Sequence, residues 1–313
     1  MTESRDKPTY SRRDALRCMA HGAGGTLFVL SGGVLSPASL AADLSGKSAG
    51  KPLFVQLSDT HIGFHKEANP DVAHTLGLAI AQINALPELP AFIVHTGDIT
   101  HLSKPEEFDL AAQLLGTLRS GELHTVPGEH DVADAEVRNY FDRYGAPSNR
   151  RGWYSFEHSG VRFLALNNVM RAADGGAGAL GAEQLAWALQ ELKSRTASTP
   201  IVVLAHMPLW GVYPQWGWTT TDAEPLLKAL GRFGSVCVLN GHIHQVVQKV
   251  EGNITFHTAR STAFPQPAAG VGPGPGPLKV PDAELAHFLG VTTVQHLRHP
   301  HALTLTDTAL DPA

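Results

Sequence analysis

The chain has 313 residues, a net charge of −5 and two cysteines. That length allows one large or two ordinary domains, and 43% hydrophobic against 17% charged residues can bury a sizeable core. The acidic balance argues against a basic nucleic-acid groove, and two cysteines exclude a disulfide framework, a four-cysteine zinc site and an iron–sulfur site. With 17 histidines in the chain, imidazole and carboxylate are the ligands to look for if a metal is bound.

Residues 1–42 have the layout of an export signal. A polar start leads to Ser11-Arg12-Arg13-Asp14-Ala15-Leu16-Arg17, then to a weakly apolar stretch broken by Gly22, Gly24, Gly25, Gly32 and Gly33, then to Ser39-Leu40-Ala41-Ala42. The paired arginines resemble a twin-arginine signal, with Ala15 standing where a bulky apolar residue is usual. The expectation is cleavage after Ala41 or Ala42, passage through the twin-arginine export machinery to the periplasm or beyond, and no membrane span in the mature chain. The five glycines make the apolar stretch a poor spanning helix.

Beyond the signal, apolar runs predict buried strands at Leu53–Leu57, Ala91–His95, Val161–Leu166, Ile201–Ala205 and Val236–Leu239. Helical periodicity predicts helices at Asn69–Ala85, Pro105–Leu118, Ala182–Arg195 and Thr221–Leu230, with Ser103 as the start signal of the second. Trp153–Glu157 and Val161–Leu166 form a candidate hairpin across Ser159-Gly160. The alternation indicates an α/β fold with a mixed sheet. Residues 263–281 are a Pro/Gly-rich loop, and residues 282–313 read as a short helix and a β-hairpin added to the main domain. Cys237, in an apolar run, reads as a buried small hydrophobe.

Five short polar segments follow, or lie close to, strand-like runs: Ser58-Asp59-Thr60-His61, Gly97-Asp98, Gly128-Glu129-His130-Asp131, His206, and Gly241-His242-Ile243-His244. Loops at the carboxyl ends of strands in an open α/β sheet converge on one crevice, so these side chains can meet in space. Asp59, His61, Asp98, Glu129, His206, His242 and His244 offer seven oxygen and nitrogen donors, too many for one tetrahedral zinc and suited to two ions sharing a carboxylate.

The order of these segments resembles the calcineurin-like metallophosphoesterase superfamily over residues 51–262, and the Ser-Asp-Thr-His start is similar to class III cyclic-nucleotide phosphodiesterases. The resemblance implies an α/β four-layer α-β-β-α sandwich with mixed sheets. It implies two metal ions, drawn from Fe, Mn or Zn. Asp59, His61 and His244 would hold the first ion, Asp98 would bridge, and His206, His242 and Glu129 would hold the second. A bridging hydroxide would attack a small-molecule phosphate ester in line, a diester by preference. His130 would assist the leaving group, oriented by Asp131. The alternatives are a phosphomonoesterase and a non-catalytic metal-binding scaffold of the same fold.

Glu129 departs from the family pattern, which usually has Asn there. It adds a third carboxylate, lowering the net charge of the site with two divalent ions from +2 to +1. Two expectations stay open: a preference for a harder ion such as Fe(III) and for monoanionic diesters, or binding much as Asn does. Trp210, Tyr213, Trp216 and Trp218 cluster after His206 and are candidates for a wall of the substrate cleft. The G-x-G-x-x-G at 176–181 does not follow a strand directly and reads as a loop, not a dinucleotide site. His65, His95, His101 and His257 lie near the motifs and read more readily as neighbours or surface residues than as ligands. His296, His299 and His301 fall on the terminal hairpin.

Overall fold

The computed structural model describes residues 52–133, 137–170, 176–297 and 302–311; the export-signal expectation lies outside these. The same holds for His299 and His301, and the side chain of His296 is also outside the description.

Two sheets are built from alternating faces. Strands β1 (Pro52–Leu57), β2 (Phe92–His95) and β3 (Leu123–Thr125) run parallel, and β10 (Gly290–Leu297) and β11 (Ala302–Ala309) extend the sheet antiparallel from β1, in the order β11-β10-β1-β2-β3. The second sheet has the order β4-β5-β6-β7-β9-β8. In it β5 (Val161–Ala165), β6 (Ile201–Leu204), β7 (Val236–Asn240) and β9 (Ile254–Thr258) are parallel. Strands β4 (Tyr154–His158) and β8 (Gln248–Glu251) cap its edges antiparallel.

Side chains alternate across each strand with period two, and both faces are buried. Phe54, Phe92, Val94, Phe163, Val202, Leu204, Cys237 and Leu239 point between the sheets and form one core. Val55, Leu57 and Ile93 point the other way and pack under α1 (Val72–Asn84), α2 (Pro105–Leu115) and α3 (Arg138–Tyr144). Leu164, Ile201, Val203, Val236 and Val238 pack under α4 (Ala182–Lys193) and α5 (Glu224–Leu230). Three cores separate four layers, helix–sheet–sheet–helix, so the expected sandwich is borne out.

Helix α1 starts at Asp71, whose carboxylate accepts from the His74 amide at 2.9 Å, and buries Val72, Leu76, Ala79, Ile80 and Ile83 on one face. Helix α2 corrects one expectation. Its N-cap is Lys104, with Pro105 in the first turn, and not Ser103. Ser103 has φ 57°, and its Oγ donates to the Asp131 carbonyl at 2.8 Å, so its hydroxyl joins two loops instead of capping a helix. Strand β3 escapes a hydrophobicity reading because it has three residues and β8 because it is mostly exposed, while β9, though largely buried, has its apolar residues interrupted by Thr255, His257 and Thr258. Residues 263–281 contain neither helix nor strand.

Candidate metal centre

The loops after β1, β2, β3, β6 and β7 all leave the carboxyl ends of parallel strands and meet at one end of the sandwich. Their backbone is unusual. Asp59, His61, Asp98, His242 and His244 all have left-handed φ, from 42° to 70°. This region is uncommon for non-glycine residues and is held only where surrounding contacts fix it. Here those contacts are continuations of the sheet ladder: the Asp59 amide donates to Gly97 O at 3.0 Å and the His61 amide to Asp98 O at 2.9 Å. Gly97, at φ 95°, leaves room for the His206 ring, since a Cβ there would lie 2.5 Å from His206 Nδ1.

The seven candidate donors form two clusters. Asp59, His61 and His244 make one, and Glu129, His206 and His242 the other. Asp98 Oδ2 lies between them, 3.5 Å from His61 Nε2 and 3.3 Å from His206 Nε2. In the first cluster His61 Nε2 and His244 Nε2 face each other at 3.2 Å, and His244 Nε2 is 3.3 Å from Asp59 Oδ1. In the second, the Glu129 oxygens stand 2.8 Å from His206 Nε2 and 2.9 Å from His242 Nδ1.

The remaining atom of nearly every donor is held by the protein. His206 Nδ1 donates to Thr96 O at 2.7 Å and His244 Nδ1 to Phe264 O at 2.6 Å, which leaves both Nε2 atoms as lone pairs. Asp59 Oδ2 accepts from Ser58 Oγ at 2.5 Å, and Ser58 accepts from Thr96 Oγ1 at 2.6 Å. Asp98 Oδ1 accepts from the His130 amide at 2.9 Å. By contrast, His206 Nε2 and Glu129 Oε2 are buried without a hydrogen-bond partner. Such orphans are costly unless a cation or water satisfies them. Converging lone pairs of imidazole and carboxylate suit Zn, Mn or Fe, so the residues fit two metal ions.

The fields agree with this chemistry. Although burial opposes it, the Asp98 and Glu129 charges raise His206 well above the ordinary imidazole range. Burial likewise works against Asp59, yet the nearby His244 and His206 pull its carboxyl down to about 2. Burial would raise Glu129 too, but His242 and His206 hold it well below the carboxylate range. A cation at His206 Nε2 would take the place of the proton that Asp98 and Glu129 otherwise draw to that atom.

His130 stands beside the clusters. Its Nδ1 donates to the His101 carbonyl at 2.7 Å. Burial lowers its pKa, but Asp98 and Glu129 outweigh that and raise it. The expectation that Asp131 orients this ring is not met. The Asp131 carboxylate accepts from the amides of Ile99 (3.1 Å), Thr100 (2.9 Å) and Gly128 (3.0 Å), and from Thr100 Oγ1 (3.0 Å). It pins the β2 and β3 loops together, because the left-handed turn at Asp98 aims those amides at it. Burial and the Asp98 charge push Asp131 up to about 7.

The aromatic cluster divides. Trp218 is 1% exposed and meets Trp216 edge to face at 5.1 Å, and Trp210 lies over Phe256 of β9 at 4.9 Å. These two serve the packing of the loop and not a cleft wall. Tyr213 and Trp216 are half-buried, 5.2 Å apart, and Tyr213 lies against Gly270 of the Pro/Gly-rich segment. That segment matters more than its composition suggests. Phe264 stacks on His61 at 4.8 Å and contacts His244 at 4.8 Å, and Gln266 Nε2 donates to His242 O at 2.9 Å. Ser58 lies inside the Ser-Asp-Thr-His start and Thr96 directly before Gly97-Asp98, whereas Phe264 carries no sequence signal. Of the other histidines, His95 is fully buried and pushed down to about 3 by burial, and His101 is pushed down to about 4 by burial and by His130.

The calcineurin-like phosphoesterase family pattern matches residues 52–246. The chain belongs to that family. It is 28% identical to a glycerophosphodiester phosphodiesterase of Enterobacter lignolyticus over 226 residues, covering 69% of this chain and 79% of that protein. It is 28% identical to a probable cyclic nucleotide phosphodiesterase of Rhodopseudomonas palustris over 220 residues, covering 67% and 78%. A dimetal phosphatase from Danio rerio has the same fold, with a TM-score of 0.59 at 14% identity over 84% of this chain and all of that one. The family member is therefore a metal-dependent phosphoester hydrolase with a dinuclear centre. Among the described residues no helix is long and apolar enough to cross a membrane.

Proposed function

We propose that the chain is a phosphodiesterase acting on small-molecule phosphodiesters, with Asp59, His61 and His244 holding one metal ion, Glu129, His206 and His242 the other, and Asp98 shared. When bound, the ions supply charge neutralisation of the phosphoryl group and a nucleophile from water at neutral pH. The chain's residues do the rest. The Ser58, Thr96 and Phe264 contacts fix Asp59, His206 and His244 each in one orientation, which lowers the reorganisation needed at the moment of reaction. His130 has its Nδ1 on the His101 carbonyl, so Nε2 is the atom that passes a proton to the departing oxygen. Against the opposing effect of burial, Asp98 and Glu129 raise its pKa, a shift toward the proton-carrying form.

Diesters are favoured by one observation above the others, the third carboxylate. Asp59, Asp98 and Glu129 together offset three of the four charges of two divalent ions. A dianionic monoester gains less from a site of net +1 than from one of +2, whereas a monoanionic diester needs less neutralisation. The names of the relatives support the same reading. The test is kcat/KM for bis(p-nitrophenyl) phosphate against p-nitrophenyl phosphate with Mn(II), beside His130→Ala. Preference for the diester, with a fall of about a hundredfold or more in the variant, supports the reading. Preference for the monoester, or a variant as active as wild type, overturns it.

We also infer that residues 1–42 direct twin-arginine export to the periplasm, on the strength of Arg12-Arg13 and the glycine-diluted apolar stretch after them. Export of a fused reporter that is abolished by Arg12→Lys with Arg13→Lys supports this; export indifferent to that pair contradicts it.

A further inference from the structure

His101 lies three residues after Asp98 and has no part in the ligand set or in the leaving-group step described above. Its surroundings are nonetheless specific. Its ring stacks on that of His130 with centroids 4.8 Å apart and planes at 17°, and the Phe64 ring meets it at 90°. Both histidines are partly open to solvent, whereas His61 beneath them is 2% exposed. The Nδ1 atoms of His101 and His61 are 3.4 Å apart.

The protons on these rings can be placed by elimination. His61 turns Nε2 toward His244 Nε2 and Asp98 Oδ2, the centre of the first cluster. A ligating nitrogen carries no proton, so neutral His61 holds its proton on Nδ1. The acceptor within reach of that proton is His101 Nδ1. A neutral imidazole that accepts at Nδ1 carries its own proton on Nε2. His130 is set by the same residue in the opposite sense, because a backbone carbonyl can only accept and His101 O takes the proton of His130 Nδ1. His101 thus has its own tautomer set by His61 at Nδ1, while its carbonyl sets that of His130.

We propose that His101 is a further catalytic residue for diester hydrolysis, its Nε2–H donating a hydrogen bond to a phosphodiester oxygen beside His130. The inference rests on the phosphodiesterase reading given above. No bond to His101 forms or breaks. The proton stays on Nε2 throughout, and the proton received by the leaving oxygen comes from His130. A donor whose tautomer is set in advance stabilises charge as it builds on that oxygen without having to reorient. His101 differs from His130 in kind: it is a fixed donor where His130 is a proton carrier.

Two amides separate this role from a merely structural one. Gln places its amide nitrogen near the position of Nε2, whereas Asn places its polar atoms near Nδ1, the atom facing His61. The experiment measures kcat for bis(p-nitrophenyl) phosphate, and metal content, in His101→Gln, His101→Asn and His101→Phe beside wild type. The expected result is full metal loading of all three at saturating Mn(II), where mass action offsets the lost contact to His61, His101→Gln within about threefold of wild type, and the other two lower by about a hundredfold, the lower end of the loss for one oxyanion donor. Asn surviving where Gln fails, metal loss in the variants, or three variants equal to wild type each overturns the proposal. Should His101→Phe fail to fold, the Gln and Asn pair still decides. A wild type without metal-dependent diester hydrolysis overturns the phosphodiesterase reading itself, and this proposal with it; an active wild type with unaffected variants overturns only the role of His101.

Discussion

The two sheets contribute unlike chemistry to one site. The loops of the five-stranded sheet bring every carboxylate of the centre, Asp59, Asp98 and Glu129, together with His61, His101 and His130. The loops of the six-stranded sheet bring only imidazoles, His206, His242 and His244. The anionic half is held by its own backbone and hydroxyls, through the His130 amide on Asp98 and Ser58 Oγ on Asp59, and by the His242 amide of the other half, which donates to Asp59 at 3.0 Å. The neutral half is aimed by carbonyls, one of which, Thr96 O, belongs to the opposite sheet. Neither half is a complete site, so the aromatic core between the sheets is part of the catalytic apparatus although it touches no ligand. Phe54, Phe92 and Phe163 sit in that core at centroid distances from 5.2 to 5.6 Å.

The comparison can be broken at several points. The largest effect is expected at Asp98, whose Oδ2 faces both clusters. Asp98→Asn should lower kcat/KM by on the order of a thousandfold or more, because a single change weakens both ion sites. Steady-state kinetics checks this, and a loss under tenfold would mean that the two clusters do not share it. Phe163→Ala, remote from the ligands, should destabilise the fold by about 3–5 kcal/mol in chemical denaturation and weaken metal retention by loosening one sheet against the other. Ser58→Ala should leave the fold in place and lower metal affinity by about 10–100-fold, read by competition with a chelator, since it leaves Asp59 Oδ2 with only the longer hydrogen bond from the His242 amide.

The smallest effect lies at the edge of the sandwich, where His257 Nε2 and Asp307 Oδ1 meet at 3.1 Å and Thr292 Oγ1 donates to the same oxygen at 2.6 Å. Burial works against the ionised Asp307, but His257 and Thr292 more than offset it and hold its pKa below the ordinary carboxylate range. A carboxyl with a depressed folded-state pKa adds stability above its unfolded pKa and loses it as pH falls through the folded value. Asp307→Asn should therefore cost about 1 kcal/mol at pH 7. The gap from wild type should close below about pH 4. Denaturation across pH measures it, and a gap independent of pH would contradict the assignment.

How much of this was legible in the sequence follows from what each residue depends on. Most ligands stood out because they follow apolar strands and carry a donor side chain, while Glu129 follows the short polar β3 and was legible only from its place in the motif order; the parallel strands then carry them to one end by topology alone. The alternation of buried strands and amphipathic helices made an α/β fold with a mixed sheet legible, whereas two sheets in four layers followed only from the family resemblance. Asp131 was misread because its partners, the Ile99 and Thr100 amides, face it only after the backbone turns left-handed at Asp98. Trp210 and Trp218 were misread because nearness to His206 in sequence does not say which way a loop side chain points. Phe264 was hidden in a segment whose proline and glycine content describes its backbone and not its contacts. Ser103 has the residue type of a cap, but its φ of 57° puts the hydroxyl on another loop.

The central claim is that the two sheets join to make one centre for two metal ions. Metal analysis of the purified protein after loading with Mn(II), read beside His206→Ala, tests it most directly. The account predicts two ions per chain in wild type and a loss confined largely to one of them in the variant, because His206 belongs to the second cluster. One ion or fewer in wild type, or two retained in the variant, would contradict it.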